Sequence, residues 1–161
     1  MNALDSRALG LRIQPAPLLE QLNTLADIGM TPEGACCRLA LSDEDRIGRD
    51  LLITWMKALK LEVSIDPIGN IFGWRAGLED LPPVMTGSHI DTVRTGGRYD
   101  GPLGVLGGLE VVRALNEAGI MTRRPIVVAA FTNEEGARFH PDMLGSLVYV
   151  GGLSLEEAYA S

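Results

Sequence analysis

Residues 87–104 read GSHIDTVRTGGRYDGPLG, and this stretch sets the fold class and also concentrates the chain's chemistry. It continues a strand-like apolar run at residues 81–88, so His89 is expected at the carboxyl end of a strand, the edge where open α/β sheets place their ligands. Asp91 completes a His-x-Asp step. A Gly-rich loop leads on to Asp100, and Pro102 then opens an apolar helical run over residues 103–118. The Asp100 carboxylate therefore falls at or near a helix N-terminus, and a carboxylate fixed there can hold a cation.

Working outward, residues 125–132 (PIVVAAFT) form a near-continuous apolar strand suited to burial on both faces, and Glu134 and Glu135 lie just past its end. Upstream, Leu18, Leu22, Leu25 and Ala26 recur at helical spacing, with Gly29 as the stop. Ser42 caps a second helix, with Asp45 at its third position and Leu52, Trp55, Met56 and Leu59 as its apolar stripe. The period then changes to two short strands, residues 61–66 and 71–74, joined by a turn at Gly69 and Asn70. Helices and strands in this order predict an α/β sheet. Residues 1–14 carry no sustained pattern and read as a lead-in, and Ser154 starts a short helix in the tail. There is no internal repeat and no low-complexity linker.

At 161 residues and 46% hydrophobic, the chain is one domain's worth and long enough for a real core. A formal charge of −7, with no basic cluster beyond Arg123 and Arg124, argues against a nucleic-acid surface and suits cationic ligands. The N-terminus lacks a signal-peptide pattern and no apolar stretch approaches the roughly 20 residues that span a bilayer, so no membrane partner and a cytoplasmic setting are expected. Adjacent Cys36 and Cys37 suit neither an ordinary disulfide nor a zinc knuckle and read as reduced, partly buried thiols.

His89, Asp100 and Glu135 are an imidazole and two carboxylates at strand ends or in the loops that follow, a mixed N/O set that suits zinc, manganese, cobalt or nickel. Asp91 can accept the imidazole's other N–H and fix its tautomer. Glu134 and Glu135 cannot point the same way in an extended chain, so one can ligate while the other faces a water as general base. Each piece alone has a plainer reading: a polar pair, a helix cap, a solvated loop pair. Their combination is what points to a metal. His140 reads as a loop histidine, Ser88 and Ser146 lack a histidine–acid pairing for a nucleophile, and Gly104, Gly107 and Gly108 lie in a helical run rather than a dinucleotide fingerprint.

GSHIDTV, GGRYDGPLGVLGGLEVV and FTNEEGARFHPDMLGS resemble the metal-binding segments of the M20 metallopeptidase-like amidohydrolases. The likeness is to the branch of N-carbamoyl-L-amino acid hydrolases, β-ureidopropionases and allantoate amidohydrolases. It implies an aminopeptidase-like α/β catalytic domain with a central mixed sheet flanked by helices, two divalent ions (Zn²⁺, Mn²⁺, Co²⁺ or Ni²⁺) and hydrolysis of a linear C–N bond in a small ureido substrate. By that resemblance His89 binds one ion, Asp100 bridges both, Glu135 binds the other, Glu134 is the general base, and Asp91 steers His89.

Family members carry an inserted domain for dimer contacts and substrate groups, and two further histidine ligands downstream. With only two histidines, the expectation for residues 1–161 is the amino-terminal part of the catalytic domain, the full-length form being a homodimer. Alternatives are a non-catalytic truncated or assembly module, and an M20 peptidase or deacylase. Truncation is further expected to leave the apolar strand around residues 126–131 without its neighbours.

Overall fold

Leu18, Leu22 and Leu25 form the buried stripe of α1 (Pro15–Asp27) in the computed structural model, which describes residues 10–161. The first nine residues of the lead-in lie outside the described residues. Helix α2 (Asp43–Ala58) begins where Ser42 Oγ accepts the Asp45 N–H at 3.2 Å, and the Asp45 carboxylate accepts the Leu41 N–H at 2.9 Å. Side chains thereby satisfy donors that a helix start leaves open. Strands β1 (Glu62–Ile65) and β2 (Ile71–Arg75) form an antiparallel hairpin. Then come β3 (Val84–His89), α3 (Pro102–Glu117) and β4 (Ile126–Phe131), followed by short helices α4 (Leu144–Tyr149) and α5 (Leu155–Tyr159).

Strand β3 starts three residues later than the apolar run suggests. Pro82 and Pro83 have no N–H to give to a ladder, and pairing begins with the Val84 N–H donated to the Pro125 carbonyl at 2.9 Å. At its far end His89 pairs with Phe131, so the imidazole stands at the carboxyl edge as expected.

The sheet order is β1-β2-β4-β3, with β3 parallel to β4 through the α3 crossover and β2 antiparallel to β4. It is a mixed sheet, and its two inner strands are β2 and β4. One face packs Ile71, Val128 and Ala130 against Leu22 and Leu25 of α1, Leu52 and Met56 of α2, and Leu106, Leu109 and Val112 of α3. Each Val, Leu, Ile or Met side chain among them contributes roughly 1.5–3 kcal/mol on burial. The other face carries Phe72, Val127 and Ala129, over which Tyr149 of α4 places its ring 5.3 Å from Phe72 and 5.7 Å from Phe131.

The expectation that residues 126–131 lack neighbours is overturned. The β1–β2 hairpin folds back so that β2 covers one edge of β4, and β3 covers the other. The open edges belong to β1 and β3.

Cys36 is buried and Cys37 half-buried, and both are free thiols. Among the described residues no helix is long and apolar enough to cross a membrane.

Candidate metal centre

Three chain segments converge beyond the carboxyl ends of β3 and β4. His89 closes β3 with its imidazole buried, and its Nδ1 lies 2.9 Å from the main-chain carbonyl oxygen of Asp91. A carbonyl can only accept, so Nδ1 carries the proton and Nε2 keeps the lone pair a metal ion needs. The Asp91 carboxylate, expected to make this contact, stands 3.8 Å from Nδ1. Its oxygens face the other way, Oδ1 accepting the Glu134 N–H and Oδ2 the Glu135 N–H, each at 3.2 Å. Asp91 thus contacts His89 through its backbone and the Glu134–Glu135 turn through its side chain.

Asp100 is exposed and directly precedes Gly101, the N-cap of α3. Gly101 has φ 84°, and a Cβ there would lie 2.5–2.7 Å from three atoms of the His89 ring. Only glycine lets the loop adopt this backbone and lie flat on the imidazole, which brings Asp100 next to His89.

After β4 the chain turns at Asn133, φ 54°, so the two glutamates part by a left-handed turn rather than by strand alternation. Asn133 Nδ2 donates to the Phe139 carbonyl at 2.9 Å and to the Pro141 carbonyl at 3.3 Å, which closes the loop that follows. Glu135 turns toward His89 and Asp100, and one ligand atom from each of the three lies within 4.8 Å of the others. Burial raises the Glu135 pKa, and the carboxylates of Asp100, Asp91 and Glu134 push the same way against the opposing effect of His89. An imidazole lone pair and two mutually repelling carboxylates fit a divalent cation. Two bonds of about 2.1 Å to one ion separate their donors by at most about 4.2 Å, so donors spread over as much as 4.8 Å must draw in slightly to share a single ion. Glu135, Gly136, His140, Pro141 and Asp142 line an open cleft of about 630 Å³ beside it, and His140 is exposed there, outside the donor set.

Glu134 lies outside the donor set, its Oε2 accepting the Ser146 hydroxyl at 3.0 Å. Ser146 lacks the histidine–acid pairing of a nucleophile, and its hydroxyl serves a carboxylate instead. Asn70, read as a turn residue, is also more than that. Its buried amide accepts the Thr132 N–H at 2.9 Å and donates to the Gly145 carbonyl at 2.9 Å, binding the β1–β2 turn to both ends of the Glu134–Glu135 loop. Its neighbour Thr132, whose own N–H and carbonyl are both engaged, is part of the same tie.

Residues 85–160, which hold all five candidate site residues, match the family described as Peptidase family M20/M25/M40. Over these residues the chain is similar to the M20 family. The M20 family is metal-dependent, in keeping with the donor set. The chain is 47% identical over 150 residues to the N-carbamoyl-L-amino-acid amidohydrolase of Rhizobium meliloti, covering 92% of this chain and 36% of that protein. It is 37% identical over 152 residues to the ureidoglycolate hydrolase of Arabidopsis thaliana, covering 94% and 32%. Among solved structures, a hydantoinase/carbamoylase family amidase from Burkholderia ambifaria superposes with a TM-score of 0.89 at 52% identity, covering 91% of this chain and 36% of that one. The chain therefore spans about a third of the length of these M20 relatives.

Proposed function

We propose that this chain supplies His89, Asp100 and Glu135 to a two-metal centre in a hydrolase of linear C–N bonds in small ureido compounds. The observation that carries the reading is the convergence of those three donors, with Glu134 one residue away and outside the donor set. The N-carbamoyl-amino-acid and ureidoglycolate hydrolases among the relatives favour a ureido substrate over a peptide. Two divalent ions (Zn²⁺, Mn²⁺, Co²⁺ or Ni²⁺) would supply Lewis acidity, acidifying a water and polarising the ureido carbonyl.

Glu134 takes the proton from the attacking water and delivers it to the leaving nitrogen. His89 presents Nε2 because the Asp91 carbonyl holds the proton on Nδ1. The Asp91 carboxylate keeps the two glutamates in register with that imidazole. An N-carbamoyl amino acid and water then give the amino acid, carbon dioxide and ammonia. We assign residues 1–161 to the amino-terminal part of the catalytic domain, other segments of the whole protein completing the ligand set. A homodimer in the cytoplasm completes the proposal.

Ammonia release from N-carbamoyl amino acids, with each of the four metals added, tests it in a protein of the relatives' length that carries this segment. Glu134→Gln should cut turnover about 10²–10⁴-fold with metal content retained, since the amide cannot take the proton. Asp100→Ala should lose metal. Loss of metal in Glu134→Gln would contradict the division of roles.

A further inference from the structure

Glu134 is held at three points. Its N–H is donated to Asp91 Oδ1 at 3.2 Å, its carbonyl accepts the Met143 N–H at 2.8 Å, and its Oε2 accepts from Ser146 Oγ at 3.0 Å. Among the described residues, Oε1 has no hydrogen-bond partner. The Ser146 hydroxyl has one proton and two acceptors at the same distance, Oε2 and the Met143 carbonyl at 3.0 Å. A bond to an ionised carboxylate is the stronger of the two.

Ser146 is itself fixed from the protein interior. The preceding Gly145 donates its N–H to the Thr132 carbonyl at 2.9 Å and accepts from the buried Asn70 amide at 2.9 Å. A Cβ at Gly145 would lie 2.2 Å from Asn70 Oδ1 and 2.6 Å from the Thr132 nitrogen, so this close approach requires glycine. The serine is thus anchored to the end of β4, the strand that also leads into Glu134.

We propose that Ser146 is a positioning residue for Glu134: its hydroxyl pins Oε2 and leaves Oε1 as the oxygen that meets the water. The inference rests on the reading of Glu134 as general base given above. Fixing a carboxylate by one oxygen restricts the rotation that would otherwise spread it over several orientations, and a proton acceptor needs a defined place.

The test compares the 161-residue protein with Ser146→Ala and Ser146→Thr, glutamate being labelled with ¹³C at Cδ and the Glu134 signal identified by its absence in Glu134→Gln. Ser146→Ala should displace the Glu134 Cδ signal and leave that of Glu135 in place, and Ser146→Thr, which keeps a hydroxyl, should restore it. Zn²⁺ affinity by calorimetry should be the same in all three. Should Ser146→Ala fail to fold, Ser146→Thr and Ser146→Val make the same comparison at equal shape. A Glu134 signal unmoved in Ser146→Ala or Ser146→Val overturns the positioning role. Loss of Zn²⁺ binding in Glu134→Gln instead overturns the reading of Glu134 as base, so the two failures are told apart.

Discussion

The carboxylate of Asp91 reaches across from the end of β3 to accept the main-chain N–H of Glu135, just beyond β4, at 3.2 Å. The same carboxylate accepts the Glu134 N–H through its other oxygen, and the backbone carbonyl of Asp91 accepts a hydrogen bond from His89 Nδ1. One residue therefore sets the imidazole and the two glutamates relative to one another.

Asp91→Asn separates these duties. The variant keeps the main-chain carbonyl that faces His89, but its amide group turns an N–H donor toward the N–H of Glu134 or Glu135. Two donors then face each other in a buried place, at a cost of about 1–3 kcal/mol. Urea unfolding should show that loss, and nitrogen NMR should show shifted Glu134 and Glu135 amides beside an unchanged His89 tautomer. A changed tautomer with unmoved amides would mean that the carboxylate, not the carbonyl, steers the ring.

Gly101→Ala should disturb the donor set because the added methyl meets the imidazole and the backbone sits at φ 84°. Weaker Zn²⁺ binding and a stability loss above about 1 kcal/mol are expected. Gly107→Ala is the control. Gly107 lies inside α3 with nothing within 4 Å of an added Cβ, so the same change there should stabilise by about 0.5–1 kcal/mol and leave Zn²⁺ binding alone. Equal effects at both positions, by thermal unfolding and calorimetry, would refute the contact argument.

The raised pKa of Glu135 gives a pH dependence with a definite sign. A carboxyl whose pKa rises on folding contributes stability that is complete below its unfolded value and is lost as pH climbs through its folded value. The metal-free protein should therefore lose stability relative to Glu135→Gln as pH rises from the ordinary glutamate value of 4.5. Saturating Zn²⁺ should reverse the trend, because a cation neutralises the facing carboxylates. Urea unfolding of both proteins across this range checks it, and parallel curves without metal would contradict it.

Much of this was legible in residue order because local rules govern it. The capped start of α2 at Ser42, the strand that ends at His89, and Asp100 at the threshold of α3 follow from periodicity and turn chemistry within a few residues. The pairing of β2 with β4 did not, since nothing local says which of several short strands covers a buried one. Asp91 to Glu134, Asn70 to Thr132 and Gly145, and Ser146 to Glu134 are side-chain bonds made only once the strand ends meet. The packing of Gly101 on His89 belongs to the same class. Tertiary closure decides these contacts, and they bear on how the candidate site residues are held rather than on which residues are candidates.

Calorimetric titration of Zn²⁺ into the 161-residue protein, with four single variants alongside, is the most direct test of the proposed metal centre. Saturable binding is expected, weak because the chain offers three converging donors, abolished by His89→Ala, Asp100→Ala and Glu135→Ala, and kept by Glu134→Gln. Binding that survives all three alanine variants, or that disappears in Glu134→Gln, would contradict the assignment.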